Sequence, residues 1–111
     1  MLIEEKRKNN IIWYKDDERL YRVKCEGDKA TVWVNLNGYN IAMPMLMWDF
    51  FVEMEENGIA LKLDSQWNGH NGFVINKDDI LYFIGLVEIF IDERDANSML
   101  LSEKYLEDWY D

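Results

Sequence analysis

The residues best suited to chemistry lie in one polar segment, Asp64 to Gly72. His70 is the single histidine of the chain, and Ser65 and Asp64 stand close to it in sequence. These are the residue types of a nucleophile, its base and the acid that orients the base. Three residues in one flexible loop rarely hold that geometry, and no nucleophile elbow surrounds Ser65. We therefore interpret His70 as a surface loop residue and the loop, with Trp67, as a candidate for binding.

Other reactive or metal-binding residue types lack the spacing that their chemistry needs. Cys25 is the only cysteine, which excludes an internal disulfide and a cysteine-rich zinc site. Asp92 and Asp95, or Asp78 and Asp79, can attract a divalent cation weakly, but no calcium-loop spacing is present. No phosphate-binding glycine loop or dinucleotide fingerprint occurs. We predict that the protein is not an enzyme and holds neither a cofactor nor a metal.

The part of the chain before residue 44 predicts strands. Apolar residues alternate with polar ones, and Asn37-Gly38 is a strong hairpin signal because both residues tolerate positive φ. The predicted strands are Ile11–Lys15, Leu20–Cys25, Thr31–Leu36 and a return strand Tyr39–Met43.

One tryptophan of this region stands on the opposite face of its strand from the apolar residues. Trp33 alternates with Val32 and Val34, which predicts that it lies on the side of the sheet away from the main core. Two interpretations stay open. Trp33 lies in a second small core or under a covering N-terminal segment, or it is an anchor for a binding partner.

The remainder of the chain predicts mainly helices. Pro44 suits the first turn of a helix and Gly58 suits its C-terminal end. Helices are predicted at Met45–Asn57, Ile80–Ile91 and Ser98–Trp109, and strands at Ile59–Leu63 and Phe73–Ile75, with a loop from Ser65 to Gly72 between the strands.

Length and composition limit the architecture. The chain has 111 residues, of which 49% are hydrophobic and 14% aromatic, enough apolar material for one packed core. We therefore predict a single domain, residues 1–111, of the α+β class. Its architecture would be an antiparallel β-meander of about 4–6 short strands packed against two or three helices.

The first residues are charged and are not followed by an apolar stretch, so no secretory signal is predicted. The longest strongly apolar run, Ile80 to Ile91, is too short to span a bilayer. With a lone cysteine, these features predict a cytoplasmic protein, in its own cell or in a host cell.

Acidic residues dominate the second part of the sequence. The net charge is −10, and residues 31–111 account for the whole excess, since residues 1–30 are almost neutral. That balance argues against direct nucleic-acid binding, because phosphates require cations. The acidic residues of this part either form solvated helix surfaces or, more specifically, build one anionic surface that docks on a basic partner.

We therefore expect a non-enzymatic binding protein that inhibits or modulates a basic site on a protein partner. That partner would itself be a candidate nucleic-acid-binding protein, and the acidic protein would then mimic nucleic acid. The residues expected to bind it are Glu53, Glu55, Glu56, Asp92, Glu93, Asp95, Trp67 and Trp109.

The small size, acidity and aromatic content resemble those of phage-borne or immunity-type inhibitors, although no motif identifies a family. The alternative function is a structural or assembly subunit that self-associates through the apolar helix Ile80–Ile91. The chain would be a monomer in the first case and a homodimer in the second.

Overall fold

A computed structural model describes residues 1–16, 19–36 and 44–94. These ranges contain one antiparallel sheet of six strands and two α-helices, so the predicted α+β class is confirmed. The strands are β1 (Ile3–Lys8), β2 (Ile11–Asp16), β3 (Arg19–Glu26), β4 (Lys29–Val34), β5 (Lys62–Trp67) and β6 (His70–Asn76). The helices are α1 (Pro44–Glu56) and α2 (Ile80–Arg94), and a 3₁₀ turn at Lys77–Asp79 precedes α2.

The strand order in the sheet is β1-β2-β3-β4-β6-β5. The first four strands form an antiparallel meander, because β2, β3 and β4 each pair with the strand before them. Of these four, β2, β3 and β4 correspond to predicted strands. After α1 the chain returns as a β5–β6 hairpin, and β6 pairs with β4, so that β5 becomes an edge of the sheet. The first and second halves of the chain thereby share one sheet.

Both helices pack on the same side of the sheet, where the main core lies. Tyr21, Val23 and Val32 point to that side from the central strands and are fully buried. Phe50 of α1 packs at a ring-centroid distance of 5.0 Å from Phe73 of β6. Burial of apolar surface between the two layers is the main force that holds them together.

The first helix has the boundaries that its sequence predicts. Pro44 occupies the first helical position, where its missing N–H removes no hydrogen bond. Gly58 has a φ of +84°. The Gly58 and Ile59 N–H groups donate to the carbonyls of Glu55 and Met54 at 3.0 and 2.9 Å. This is the Schellman arrangement, which ends the helix at the predicted glycine.

Two predictions in the strand regions are wrong, and one strand was missed. The strand predicted at Ile59–Leu63 lies instead at Lys62–Trp67. Residues 3–8 form an edge strand that the alternation did not reveal, because the charged side chains of β1 are all exposed. The predicted loop from Ser65 to Gly72 is a tight hairpin. Asn68 and Gly69 adopt φ values of +47° and +77°, which lets a two-residue turn join β5 directly to β6.

Some predicted elements fall outside the described residues. These are the return strand Tyr39–Met43 with its Asn37-Gly38 turn, and the last predicted helix, Ser98–Trp109.

Candidate functional site

The acidic residues of α1 lie on the side of the helix that faces away from the sheet. Glu55 and Glu56 are exposed, whereas Glu53 is half-buried. Trp48 of the same helix has 71% of its surface exposed, which is unusual for so large an apolar side chain. Exposed carboxylates therefore stand beside an exposed indole on this helix.

The acidic residues of α2 lie at its C-terminal end. Asp92 forms an ion pair with Arg19 of β3, so the chain's own arginine partly offsets its charge. Glu93 is exposed, and the other two candidates of this region, Asp95 and Trp109, lie outside the described residues.

The two acidic clusters are separate. The Tyr82 hydroxyl donates to the carbonyl of Asn57 at 3.1 Å, which places the end of α1 beside the start of α2. Asp92 lies ten residues further along α2, or about 15 Å at the rise of an α-helix. The structure therefore groups Glu53, Glu55 and Glu56 together and leaves Asp92 and Glu93 at a distance from them.

Exposed apolar side chains on α2 face away from the sheet, as Trp48 does. Leu81, Tyr82 and Ile89 are 60%, 51% and 55% exposed. Leu81, Gly85 and Ile89 recur every four residues, so they form one stripe along the helix. We call this surface the helical face; its members are Trp48, Asp49, Glu55, Glu56, Leu81, Tyr82, Gly85, Ile89 and Glu93.

Trp67 does not lie with the carboxylates. It ends β5, pairs in register with His70 of β6 and lies on the side of the sheet opposite the helices. His70, predicted as a surface loop residue, is 1% exposed, so that prediction is wrong. The tight turn is the reason, because it places His70 in a strand of the sheet against the Trp67 ring, at a centroid distance of 5.7 Å.

The geometry around His70 orients its ring toward the backbone. Nδ1 lies 3.1 and 3.0 Å from the carbonyl oxygens of Trp67 and Asn68. Since carbonyls only accept hydrogen bonds, Nδ1 carries the proton of the neutral ring. Burial lowers the pKa of His70, which favours that neutral form.

The other members of the conceivable serine–histidine–aspartate set have different partners. Asp64 Oδ1 accepts the backbone N–H of Ser65 at 2.7 Å, and Asp64 Oδ2 accepts the hydroxyl of Thr31 at 3.2 Å. The Asp64 carboxylate therefore accepts one hydrogen bond from its own strand, β5, and one from β4. Across the ranges that the structure describes, no three His, Cys, Asp or Glu side chains converge as metal ligands.

The side of the sheet opposite the helices, here called the open face, carries a second cluster with three tryptophans. Register places Lys6, Trp13, Arg22, Trp33, Gly72 and Asp64 in one row across all six strands. Trp13 and Trp33 pack with Leu20 in a small core, and Trp67 packs against them. Of the two interpretations of Trp33, the second small core is therefore correct.

Arg22 is the centre of this row. Its Cζ lies 4.9 Å from the Trp33 ring and 4.5 Å from the Trp67 ring. Lys6 Nζ lies 5.1 Å from the ring of Trp13. Cations over indole faces are attracted by the ring quadrupole, so the tryptophans hold both cations on the open face.

The open face is basic although the chain is acidic. Seven basic side chains lie on it and two acidic ones: Lys6, Lys8, Lys15, Arg22, Lys24, Lys29 and Lys62, with Glu26 and Asp64. The interpretation of net charge in the sequence missed this surface. A signal was present, because the strand lysines and Arg22 occupy positions opposite in parity to the core residues, although Arg7 and Arg19 do not.

The carboxyl groups of Asp16 in β2 and Glu88 in α2 interact at the border of the core. The Tyr21 hydroxyl donates to Glu88 Oε1 at 3.2 Å, and the N-terminal ammonium bonds Asp16 Oδ1 at 2.8 Å. Burial, then hydrogen bonding to Asp16, raises the pKa of Glu88 to about 7. The hydrogen bond with Glu88, then the ammonium, lowers the pKa of Asp16. The shared proton therefore resides on Glu88.

Glu88→Gln is expected to stabilise the protein at pH 8 and to change its stability little at pH 4.5. An unfolded glutamate ionises near about pH 4.3, whereas Glu88 keeps its proton in the folded chain up to about pH 7. The contribution of protonated Glu88 to the free energy of unfolding is therefore lost as the pH rises between these two values. After discounting for solvent exposure, the gain is about 1 kcal/mol, or about 4 °C in Tm.

Thermal melts of both proteins across that pH range measure the effect. Glu55→Gln removes one carboxylate at an exposed position and is the control; it should raise Tm at pH 8 less than Glu88→Gln does. Equal shifts for Glu88→Gln at both pH values would contradict the assignment of the proton.

Comparison of the chain with protein-family models, curated proteins and solved structures gave no match. Within the described ranges, neither helix has both the length and the apolar character needed to cross a bilayer.

Proposed function

We propose that this protein is a non-enzymatic binding protein whose helical face docks on a basic protein partner and blocks or modulates it. The observation that carries the proposal is the exposure of Trp48, Leu81, Tyr82 and Ile89 on one surface together with carboxylates. Contiguous exposed patches of large apolar groups mark interaction sites on proteins.

The chemistry of the helical face defines the partner. Aromatic anchors supply binding energy when they are buried in a partner's pocket. Along α1, no basic side chain accompanies Asp49, Glu55 and Glu56. These carboxylates would therefore attract a basic rim around an apolar pocket and accelerate encounter at low salt. Cys25, a free thiol that is half-buried, agrees with a reducing compartment such as the cytoplasm.

The test is affinity capture from a cell extract at low salt, with captured proteins identified by mass spectrometry. Glu55→Lys/Glu56→Lys is expected to reduce capture of the specific partner at least about tenfold, because two attractive charges become repulsive. Glu53 is left unchanged because it is half-buried, and its reversal would also disturb packing.

The matched control is Glu5→Lys/Asp28→Lys, which changes the net charge equally at exposed positions outside the helices. It should retain the partner, which should elute at high salt and carry a basic surface. Equal capture by the helical-face variant and the wild type would remove this surface from the function.

Self-association through α2 is the second candidate, and the exposed stripe of Leu81, Gly85 and Ile89 favours it. An added Cβ at Gly85 meets nothing within 4 Å, so there is open space above the middle of the stripe. Sedimentation velocity of the full chain at micromolar concentration separates the two candidates. A monomer assigns the stripe to another protein, whereas a dimer disrupted by Leu81→Lys assigns it to a second copy.

A further inference from the structure

We propose that the open face binds single-stranded nucleic acid through its phosphate backbone. This surface is independent of the helical face, since the sheet lies between them. Two observations support this proposal: the placement of the cations on the open face, and the tryptophans that hold two of those cations in position.

The cations form rows that run across the strands. Lys6 and Arg22 lie in the tryptophan row, two strands apart. Lys8, Lys24 and Lys62 lie in the adjacent row, which register places beside the first. Strands are about 4.8 Å apart, so six strands span about 24 Å. That width accommodates several nucleotides of an extended strand, comparable to sites of about 4–16 nucleotides on other sheet-based binders.

The tryptophans prepare the central arginine for phosphate. Trp33 and Trp67 hold the Arg22 guanidinium from their ring faces at 4.9 and 4.5 Å, which restricts its rotation. Arg22 is half-buried and its Nε is buried, so the guanidinium held by the rings would attract phosphate mainly through its charge. Trp67 is half-buried and contacts both Arg22 and the His70 ring, so its role on this face is to hold the arginine.

The face suits a polyanion better than a protein. Among the strands of the described residues, Ile3, at one corner, is the only exposed large hydrophobic side chain on it, since Leu63 lies on the other side. It therefore lacks the exposed apolar anchors that protein interfaces need, in contrast to the helical face. In the described part of the chain, no helix projects from this face to enter the groove of a duplex, which favours a single strand.

The net charge of the chain does not prevent this binding. The carboxylates of the helical face lie beyond the sheet and beyond a helix of about 10 Å diameter. At physiological ionic strength the screening length is about 8 Å. A phosphate on the open face is therefore affected mainly by the charges of that face, on which basic side chains outnumber acidic ones. Lys24 pairs with Glu26 at 3.0 Å, so a phosphate there would compete with that carboxylate.

The probe is a fluorescein-labelled oligothymidine of about 12 nucleotides, titrated with the full-length protein and followed by fluorescence anisotropy. Contacts with about four phosphates predict a slope of about −3 for log K against log salt. At about 50 mM salt, each of Lys8→Glu and Lys24→Glu is expected to weaken binding about tenfold, because each removes one phosphate contact.

Lys77→Glu is the matched control, since Lys77 is an exposed lysine of the 3₁₀ turn outside the rows. It should change the affinity less than about twofold. Circular dichroism melts verify that each variant is folded.

Four results would each overturn the proposal. The first is the absence of binding at about 100 µM protein in low salt, and the second is an equal loss of affinity for Lys77→Glu and Lys24→Glu. The third is tighter binding of a duplex than of the single strand. The fourth is an oligomer that dissociates in high salt and in the Lys8→Glu variant. The last result would assign the open face to the acidic helices of a second copy.

Discussion

Replacing Phe50 with alanine is expected to lower the free energy of unfolding by about 3–5 kcal/mol. Phe50 is fully buried, and its ring contacts Phe73 of β6 and both Phe83 and Phe90 of α2, at centroid distances of 5.0, 6.2 and 5.2 Å. One side chain thus joins α1, the sheet and α2. Truncation leaves a cavity lined by three rings, which cannot collapse without moving a helix.

Urea denaturation followed by circular dichroism measures this loss. Since domains of this size are stable by about 5–15 kcal/mol, the midpoint should fall by a large fraction of its value. Phe51→Ala is the comparison, because Phe51 is only half-buried at the margin of the same core, and a clearly smaller loss is expected. A loss below about 1 kcal/mol for Phe50→Ala would contradict the packing described here.

Gly72→Ala is expected to destabilise the protein by about 1–3 kcal/mol and to disturb the tryptophans of the open face. An added Cβ would lie 2.7 Å from Trp33 Nε1 and 2.9 Å from the carbonyl oxygen of Ser65. These two atoms form a hydrogen bond of 3.0 Å that joins β4 to the edge strand β5. The methyl group must therefore displace the indole or push β5 from its position.

Gly85→Ala provides a matched control with the opposite sign. Gly85 lies inside α2 and has nothing within 4 Å of an added Cβ. Alanine there should stabilise the helix by about 0.5–1 kcal/mol. Denaturation with tryptophan fluorescence should show a lower midpoint and an altered native spectrum for Gly72→Ala alone. Unchanged fluorescence together with unchanged stability would mean that Trp33 is not held as described.

The helices were the most predictable elements. α1 has an apolar stripe with a proline at its start and a glycine at its end, and α2 is apolar over most of its length. These signals are local, since each depends on residues within one or two turns. The strands around Tyr21 and Val32 were predictable for the same reason, because one side is buried and the other is not.

The edge strands were not predictable from local pattern. All of β1 and all of β5 except Trp67 are exposed, and such mostly polar segments are typical of loops as much as of edges. Pairing with β2 and β6 makes them strands, and that pairing depends on residues distant in sequence. The burial of His70 has the same origin, because the hairpin that carries it exists only within the sheet.

The candidate surfaces were predictable to different degrees. Glu55, Glu56 and Trp67 were singled out from the sequence, but Trp67 lies on the face opposite the two glutamates. The alternation along Leu20–Cys25 indicates only that Arg22 lies on the side of its strand opposite Tyr21 and Val23. Its position between Trp33 and Trp67 follows from the register of β3 with β4 and from the bulge in β5.

The sequence by itself determined the α+β class, the two helices, the central strands and the acidic excess, because composition and periodicity are properties of neighbouring residues. Only the tertiary structure decided where the charges lie relative to one another. Strand register collected the lysines and Arg22 on one side of the sheet, while the helices carried their carboxylates to the other. A net charge is a sum over the whole surface, and a sum contains no information about position.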